Sequence, residues 1–313
     1  MKSRGRRSTP AGEHVPVLLF EVMQALSPLP GETVVDGTLG WAGHAVELLK
    51  RVGPNGMLVG FDLDAENVRR AESRLRELGH PFLLHHGNFA GLPRVLSLAG
   101  VDGVNALLLD LGMSSMQVDD PERGFSYVRD GPLDMRMDRS RGRTAAEIIS
   151  EIERDELARV LLELGDEPQS ELIAATIVAA RQRTPIRRTG DLAEIVRQAT
   201  QTREWRLHPS RGKWNLHPAA RTFQALRILV NRELGNLHEL LRVLPDCLRP
   251  GGRVAVISFH SGEDRLVKAA FREGCRSGRF TRICDEPVRA GWQEKAANPR
   301  ARSAKLRWAV RGT

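Results

Sequence analysis

Three aspartates and one glycine-rich loop are the residues whose types and spacing could do chemistry. The loop reads Asp36-Gly37-Thr38-Leu39-Gly40-Trp41-Ala42-Gly43-His44. Glycine at 37, 40 and 43 permits positive φ and lets a ligand approach the backbone. The free N–H groups at the start of a following helix would face that ligand. Asp62 lies about twenty residues beyond the loop, the spacing at which an acid reaches ribose hydroxyls. Asp110 closes a further apolar run. Loop and acids together point to an adenosine-type cofactor. A tight turn beside a solvated Asp is the plainer reading of the loop and Asp62 alone, and the turn by itself would also suit a nicotinamide dinucleotide.

These residues need elements to hold them. Apolar runs at 33–35, 57–61, 82–85, 104–109 and 254–258 read as buried strands, with a last strand at 305–310. Helical spacing follows at 45–51, 65–78 and 263–273, after a short first helix at 20–26. The alternation predicts an α/β fold with a parallel sheet, whose ligands collect at the carboxyl ends of strands. Asp36, Asp62 and Asp110 fall at such ends, and Asn88-Phe89 lies in a turn after the third strand. Residues 120–214 lack strand alternation and read as an all-helical insertion, between 13–119 and 215–313. Within it Thr144 and Glu147 form a capping-box pattern, and helices are expected at 155–164, 171–183 and 191–200. A long helix is expected over 223–248, kinked or split at Pro245. Arg249-Pro250-Gly251-Gly252 reads as a turn.

At 313 residues there is room for a full α/β domain and more. No run of about eighteen apolar residues occurs, so no membrane span is expected. Residues 1–12 read as a disordered basic arm. The net charge of +8 suits a polyanionic partner. Lysine occurs only at 2, 50, 213, 268, 295 and 305, so the excess is arginine, which pairs with phosphate and stacks on bases. A GC-rich genome would give the same bias. Residues 205–214, from Trp205 to Trp214, read as a basic, aromatic-bearing loop. Cys247, Cys275 and Cys284 have neither disulfide nor zinc spacing and read as reduced thiols of a cytoplasmic protein.

In order along the chain, the motifs resemble the ribosomal RNA small subunit methyltransferase H family over about residues 14–310. The blocks are His14-Val15-Pro16-Val17-Leu18, Asp36-Gly37-Thr38-Leu39-Gly40, Asp110-Leu111-Gly112 with Ser114-Ser115 and Gln117, Arg123-Gly124-Phe125-Ser126, and Pro132-Leu133-Asp134-Met135-Arg136-Met137. They continue with His217-Pro218-Ala219, Phe223-Gln224-Ala225-Leu226-Arg227-Ile228, Ser258-Phe259-His260-Ser261, Asn298-Pro299-Arg300, and Arg302-Ser303-Ala304-Lys305-Leu306-Arg307. The chain departs from the family's usual pattern at Ala42, Ala220 and Gly262, and its 203–214 loop looks expanded.

The resemblance implies a Rossmann-like, S-adenosylmethionine-dependent enzyme that methylates N4 of a cytosine in the decoding region of 16S rRNA, with the helical insertion recognising substrate. A divergent paralogue with another RNA target, or a non-catalytic ribosome-assembly factor, would share these features. The implied cofactor contacts are Ala42, Gly43, His44, Asp62, Phe89, Asp110 and Gln117. By topological analogy with other amino-methyltransferases, Asp110 and Ser114 would hold the reacting amine. Ser114 also reads as a helix cap, Phe89 as a core aromatic and His44 as a helix-start residue. Arg123, Arg136, Arg221, His260, Arg300 and Arg302 are the candidate RNA contacts. The expected partner is 16S rRNA or the small ribosomal subunit, with a homodimer open; no metal is required.

Overall fold

The computed structural model describes residues 16–201 and 217–313. The 1–12 arm, His14 and the 205–214 loop lie outside the described residues. The chain divides into two compact units: residues to 112 with 235–313, and residues 113–234. The second unit is wider than the 120–214 read from the sequence.

Strands and helices alternate through the first part of the sheet unit: α1 (Leu19–Leu26), β1 (Thr33–Asp36), α2 (Gly43–Val52), β2 (Met57–Asp62), α3 (Ala65–Arg76), β3 (Phe82–His86), α4 (Leu92–Leu98) and β4 (Val104–Asp110). The helical unit supplies α5 (Ser115–Asp119), α6 (Ala145–Glu151), α7 (Arg154–Gly165), α8 (Ser170–Arg181), α9 (Thr189–Ala199) and α10 (Ala220–Asn231). The chain then returns through α11 (Glu233–Cys247), β5 (Leu248–Ser258), α12 (Ser261–Arg276), β6 (Phe280–Ile283), α13 (Trp292–Ala297) and β7 (Lys305–Arg311).

The seven strands form one sheet in the order β3-β2-β1-β4-β5-β7-β6. The first five are parallel, and β7 runs antiparallel between β5 and β6. Central strands of such a sheet are covered on both faces. Accordingly Ala106 and Leu108 of β4 join one core, while Leu107 and Leu109 join the other. The first core lies under α1, α2 and α3, the second under α4, α11 and α12. Burying Leu48, Leu49 and Val52 at roughly 2 kcal/mol each ties α2 down, and with it the loop at its N-terminus.

The 249–252 turn is present as a register shift inside β5: Val104 pairs with Leu248 but Ala106 pairs with Arg253. The long helix expected over 223–248 is two helices, and the break comes at Arg232 rather than Pro245. Arg232 is left-handed, at φ 51°. Arg227 closes the corner with two hydrogen bonds to Glu233, at 2.8 and 2.9 Å. Pro245 sits in the last turn of α11; its missing N–H removes one i−4 bond, yet the helix continues to Cys247.

In the helical unit α7 packs against α8 and α10, and α8 against α9. A Cβ on Gly165 would meet the Arg221 carbonyl at 2.7 Å, so α7 and α10 meet closely there. The capping box at Thr144 and Glu147 forms as read. The irregular stretch before α6 is held by backbone bonds from Leu133 to Arg187 (2.8 Å) and from Thr189 to Gly131 (2.9 Å).

Candidate active site

Asp36, Asp62 and Asp110 end three adjacent strands, β1, β2 and β4, at the carboxyl edge of the sheet. The glycine-rich loop crosses that edge and locks onto it. The Gly40 N–H donates to Asp62 Oδ2 at 2.8 Å, and the Asp64 N–H to Asp62 Oδ1 at 2.8 Å. Burial pushes the Asp62 carboxyl up to about 6, against these two donors and Asn67. Asp36 is 1% exposed, accepts from the Thr38 N–H at 3.0 Å, and is likewise pushed up to about 6 by burial.

Thr38 joins two strand ends. Its hydroxyl accepts from the Asp110 N–H at 2.6 Å and reaches Asp36 Oδ1 at 3.4 Å. Sequence reading missed it, although a hydroxyl two residues after the strand-end acid was the available signal. Gly37 faces Phe89 and Leu109: a Cβ there would come within 3.2 Å of Phe89 Cβ and 2.4 Å of Leu109 Cδ2. Phe89 opens a single turn of 3-10 helix, Phe89–Gly91, whose cap is Asn88. Its half-buried ring packs partly into the second core. Ala42 adopts the left-handed region, φ 60°, where glycine would be unstrained. Its methyl is fully buried in the first core, which offsets part of that cost.

His44, in the first turn of α2, is 5% exposed. Its Nε2 lies 3.0 Å from the Val17 carbonyl, which accepts, so this nitrogen carries the proton. The other nitrogen, Nδ1, lies 3.7 Å from Asp110 Oδ2. Asp110 Oδ1 is buried and has no hydrogen-bond partner among the described residues. Burial pushes the Asp110 carboxyl up, His44 and Arg300 pull it back, and Glu263 pushes it up again. Burial lowers the Arg300 guanidinium, and the charge of Asp110 opposes this.

Arg300 lies 5.9 Å above the centre of the Phe259 ring. Asn298 sets its backbone by accepting the Arg300 N–H at 3.1 Å. Arg302 Nε donates to the Lys295 carbonyl at 3.1 Å. His260 caps α12, with Nε2 3.2 Å from Glu263 Oε1.

The remaining candidates belong to the helical unit. Ser114 and Gln117 cap α5 reciprocally: the Gln117 N–H donates to Ser114 Oγ at 3.3 Å and the Ser114 N–H to Gln117 Oε1 at 3.2 Å. Arg123 is 9% exposed and donates to the Met137 carbonyl at 2.9 Å. Arg136 grips Asp134 through Nε at 2.7 Å and Nη2 at 3.0 Å. Both arginines fasten the irregular stretch before α6. Arg221 is half-buried on α10. A cleft of about 490 Å³, lined by Gln24, Arg253, Arg282 and Trp308 among others, contains none of the candidates.

The parallel sheet with antiparallel β7, the glycine loop and the acidic strand ends define a Rossmann-like S-adenosylmethionine-dependent methyltransferase. The site suits that ligand: three carboxylates gather at one sheet edge, where a cationic donor would be favoured, and Asp110 Oδ1 lacks a partner among the described residues. More particularly, the chain belongs to the MraW methylase family, whose model matches residues 11–312. It is 47% identical to the ribosomal RNA small subunit methyltransferase H of Geobacter sp. (strain M21) over 309 residues, covering 94% of this chain and 97% of that one. The protein of the same name from Symbiobacterium thermophilum is 44% identical over 316 residues, covering 96% and 97%.

Proposed function

We propose that this enzyme methylates N4 of a cytosine in the decoding region of 16S rRNA, in the cytoplasm. Asp110 Oδ1, buried and without a partner among the described residues, carries the reading, because an exocyclic amine is a group that could satisfy it. S-adenosylmethionine, when bound, supplies an electrophilic methyl on a sulfonium. The cytosine N4 is a poor nucleophile, since its lone pair is delocalised into the ring. Asp110 accepts an N4 hydrogen bond through Oδ1, localises that lone pair and takes up the proton released. His44 and Arg300 favour its carboxylate form.

Asp62 offers acceptors to the ribose, Phe89 covers the adenine, and the 42–44 backbone receives the methionine part. Gln117 contributes a polar edge, and Ser114 acts on the amine directly or through the cap it forms. The target base must leave its stack to reach Asp110. Arg221, His260, Arg300 and Arg302 contact RNA, while Arg123 and Arg136 shape the loop that presents substrate. The helical unit recognises the RNA.

Mass mapping of 16S rRNA modifications in cells with and without the gene tests the substrate. Loss of one N4-methyl on a single cytosine is the outcome expected. Asp110→Asn should lower turnover about a hundredfold or more at saturating cofactor. Wild-type turnover in both Asp110→Asn and Ser114→Ala would remove these residues from the chemistry.

A further inference from the structure

The corner that follows β5 is held with more care than a connection between a strand and a helix requires. Glu263 is 2% exposed, in the first turn of α12. Its Oε2 accepts the Phe259 N–H at 2.8 Å and the His260 N–H at 3.4 Å. The next residue, Asp264, is anchored to β7: Lys305 Nζ reaches Oδ2 at 2.9 Å and Arg307 Nε reaches Oδ1 at 2.7 Å. Arg307 is only 4% exposed and also donates to the Asp285 carbonyl at 3.2 Å. Lys305 and Arg307 alternate on one face of β7, so a single strand face clamps the start of α12.

What the clamp presents is the Phe259 ring. A Cβ on Gly112, two residues after Asp110, would touch that ring at 3.4 Å, and Arg300 lies across it at 5.9 Å. Gly112 has φ +101°, a conformation that favours glycine. The ring thus bridges the segment just after Asp110 to the arginine that faces Asp110. We propose that Glu263 is a positioning residue for methyl transfer: it fixes the Phe259–His260 corner, and through it the placement of Arg300 beside Asp110. Asp264 with Lys305 and Arg307 is the anchor that keeps Glu263 in place. The inference rests on the role given to Asp110 above.

Asp110 is faced by His44 from α2, Arg300 from the Pro299–Arg302 turn, Glu263 from α12 and Asp36 from β1. Glu263→Gln keeps an oxygen for the Phe259 N–H but removes one negative charge from this set. Its kcat should stay within about threefold of wild type, while the acid limb of kcat/KM moves to lower pH. Glu263→Ala should lower kcat about tenfold or more and raise the KM for small-subunit rRNA. Its Kd for S-adenosylmethionine, measured by calorimetry, should stay within about twofold of wild type.

Amide hydrogen exchange at Phe259 and His260, in the full-length protein without cofactor, reads the corner without reference to activity. Protection should fall in Glu263→Ala and persist in Glu263→Gln. Unchanged exchange in Glu263→Ala, or an unchanged acid limb in Glu263→Gln, overturns the proposal. Equal losses in kcat and cofactor affinity would also overturn it, by showing a general structural role. If Glu263→Ala does not fold, the Glu263→Gln pH profile decides. A wild-type enzyme inactive on small-subunit rRNA would sink the functional reading instead, while the exchange experiment still judges the corner.

Discussion

Buried acids at the strand ends make this protein's stability depend on pH in a direction opposite to that of paired surface carboxylates. The Asp36 carboxyl is pushed up from 3.8 to about 6 by burial. Its contribution is therefore most favourable below about 4 and is lost as pH rises through about 6. Asp36→Asn can still accept the Thr38 N–H, so it should stabilise the cofactor-free protein by roughly 2 kcal/mol at pH 7.5 and by almost nothing at pH 4. Urea unfolding at the two pH values checks this. Asp62 titrates near the same pH, and its protonation would remove an anionic acceptor from the cofactor. The Kd for S-adenosylmethionine should accordingly rise about tenfold between pH 7 and pH 5, as calorimetry would show. The three acids were legible because each closes an apolar run. The hydroxyl of Thr38, the Val17 carbonyl behind His44 and the carboxylate of Glu263 were not: backbone carbonyls have no sequence signature, and the spacing of Glu263 reads as an ordinary first-turn acid.

Among the elements, those marked by composition were read closely and those marked by geometry were not. Strands β1, β2 and β4 were legible because both faces are apolar, and α6 because Thr144 and Glu147 announce its start. Strand β6 was missed: its burial is confined to Phe280, with Thr281 and Arg282 exposed, so four residues carry almost no pattern. The break at Arg232 was misplaced to Pro245 because proline is a visible breaker, whereas a left-handed arginine is not. Two substitutions test the element assignments in thermal unfolding. Thr144→Ala should cost about 1 kcal/mol by removing the cap of α6. Gly124→Ala should cost more than about 3 kcal/mol, since Gly124 has φ +73° and a Cβ there would strike the Pro132 carbonyl at 2.2 Å. The loss should be greater for Gly124→Ala than for Thr144→Ala, because a cap can be replaced by water and a backbone collision cannot.

The charge of the whole molecule, +8, was plain from composition, but where it acts was not. Many arginines are paired within their own units: Arg136 with Asp134, Arg227 with Glu233, Arg253 with Glu32 and Arg307 with Asp264. Raising salt from 50 to 200 mM should weaken binding of small-subunit rRNA by about tenfold or more and leave cofactor affinity nearly unchanged. A filter-binding series against calorimetry separates the two. The junction before α1 has a consequence of its own. Val17 holds His44, while the neighbouring Leu18 N–H is received by Glu294 Oε1 at 2.7 Å, 276 residues further on. Strand β7 completes the clamp on α12 through Lys305 and Arg307. The edge that carries the acids is thus braced by contacts between distant parts of the sequence, so its order should report the cooperativity of the whole sheet unit and not of any one local segment.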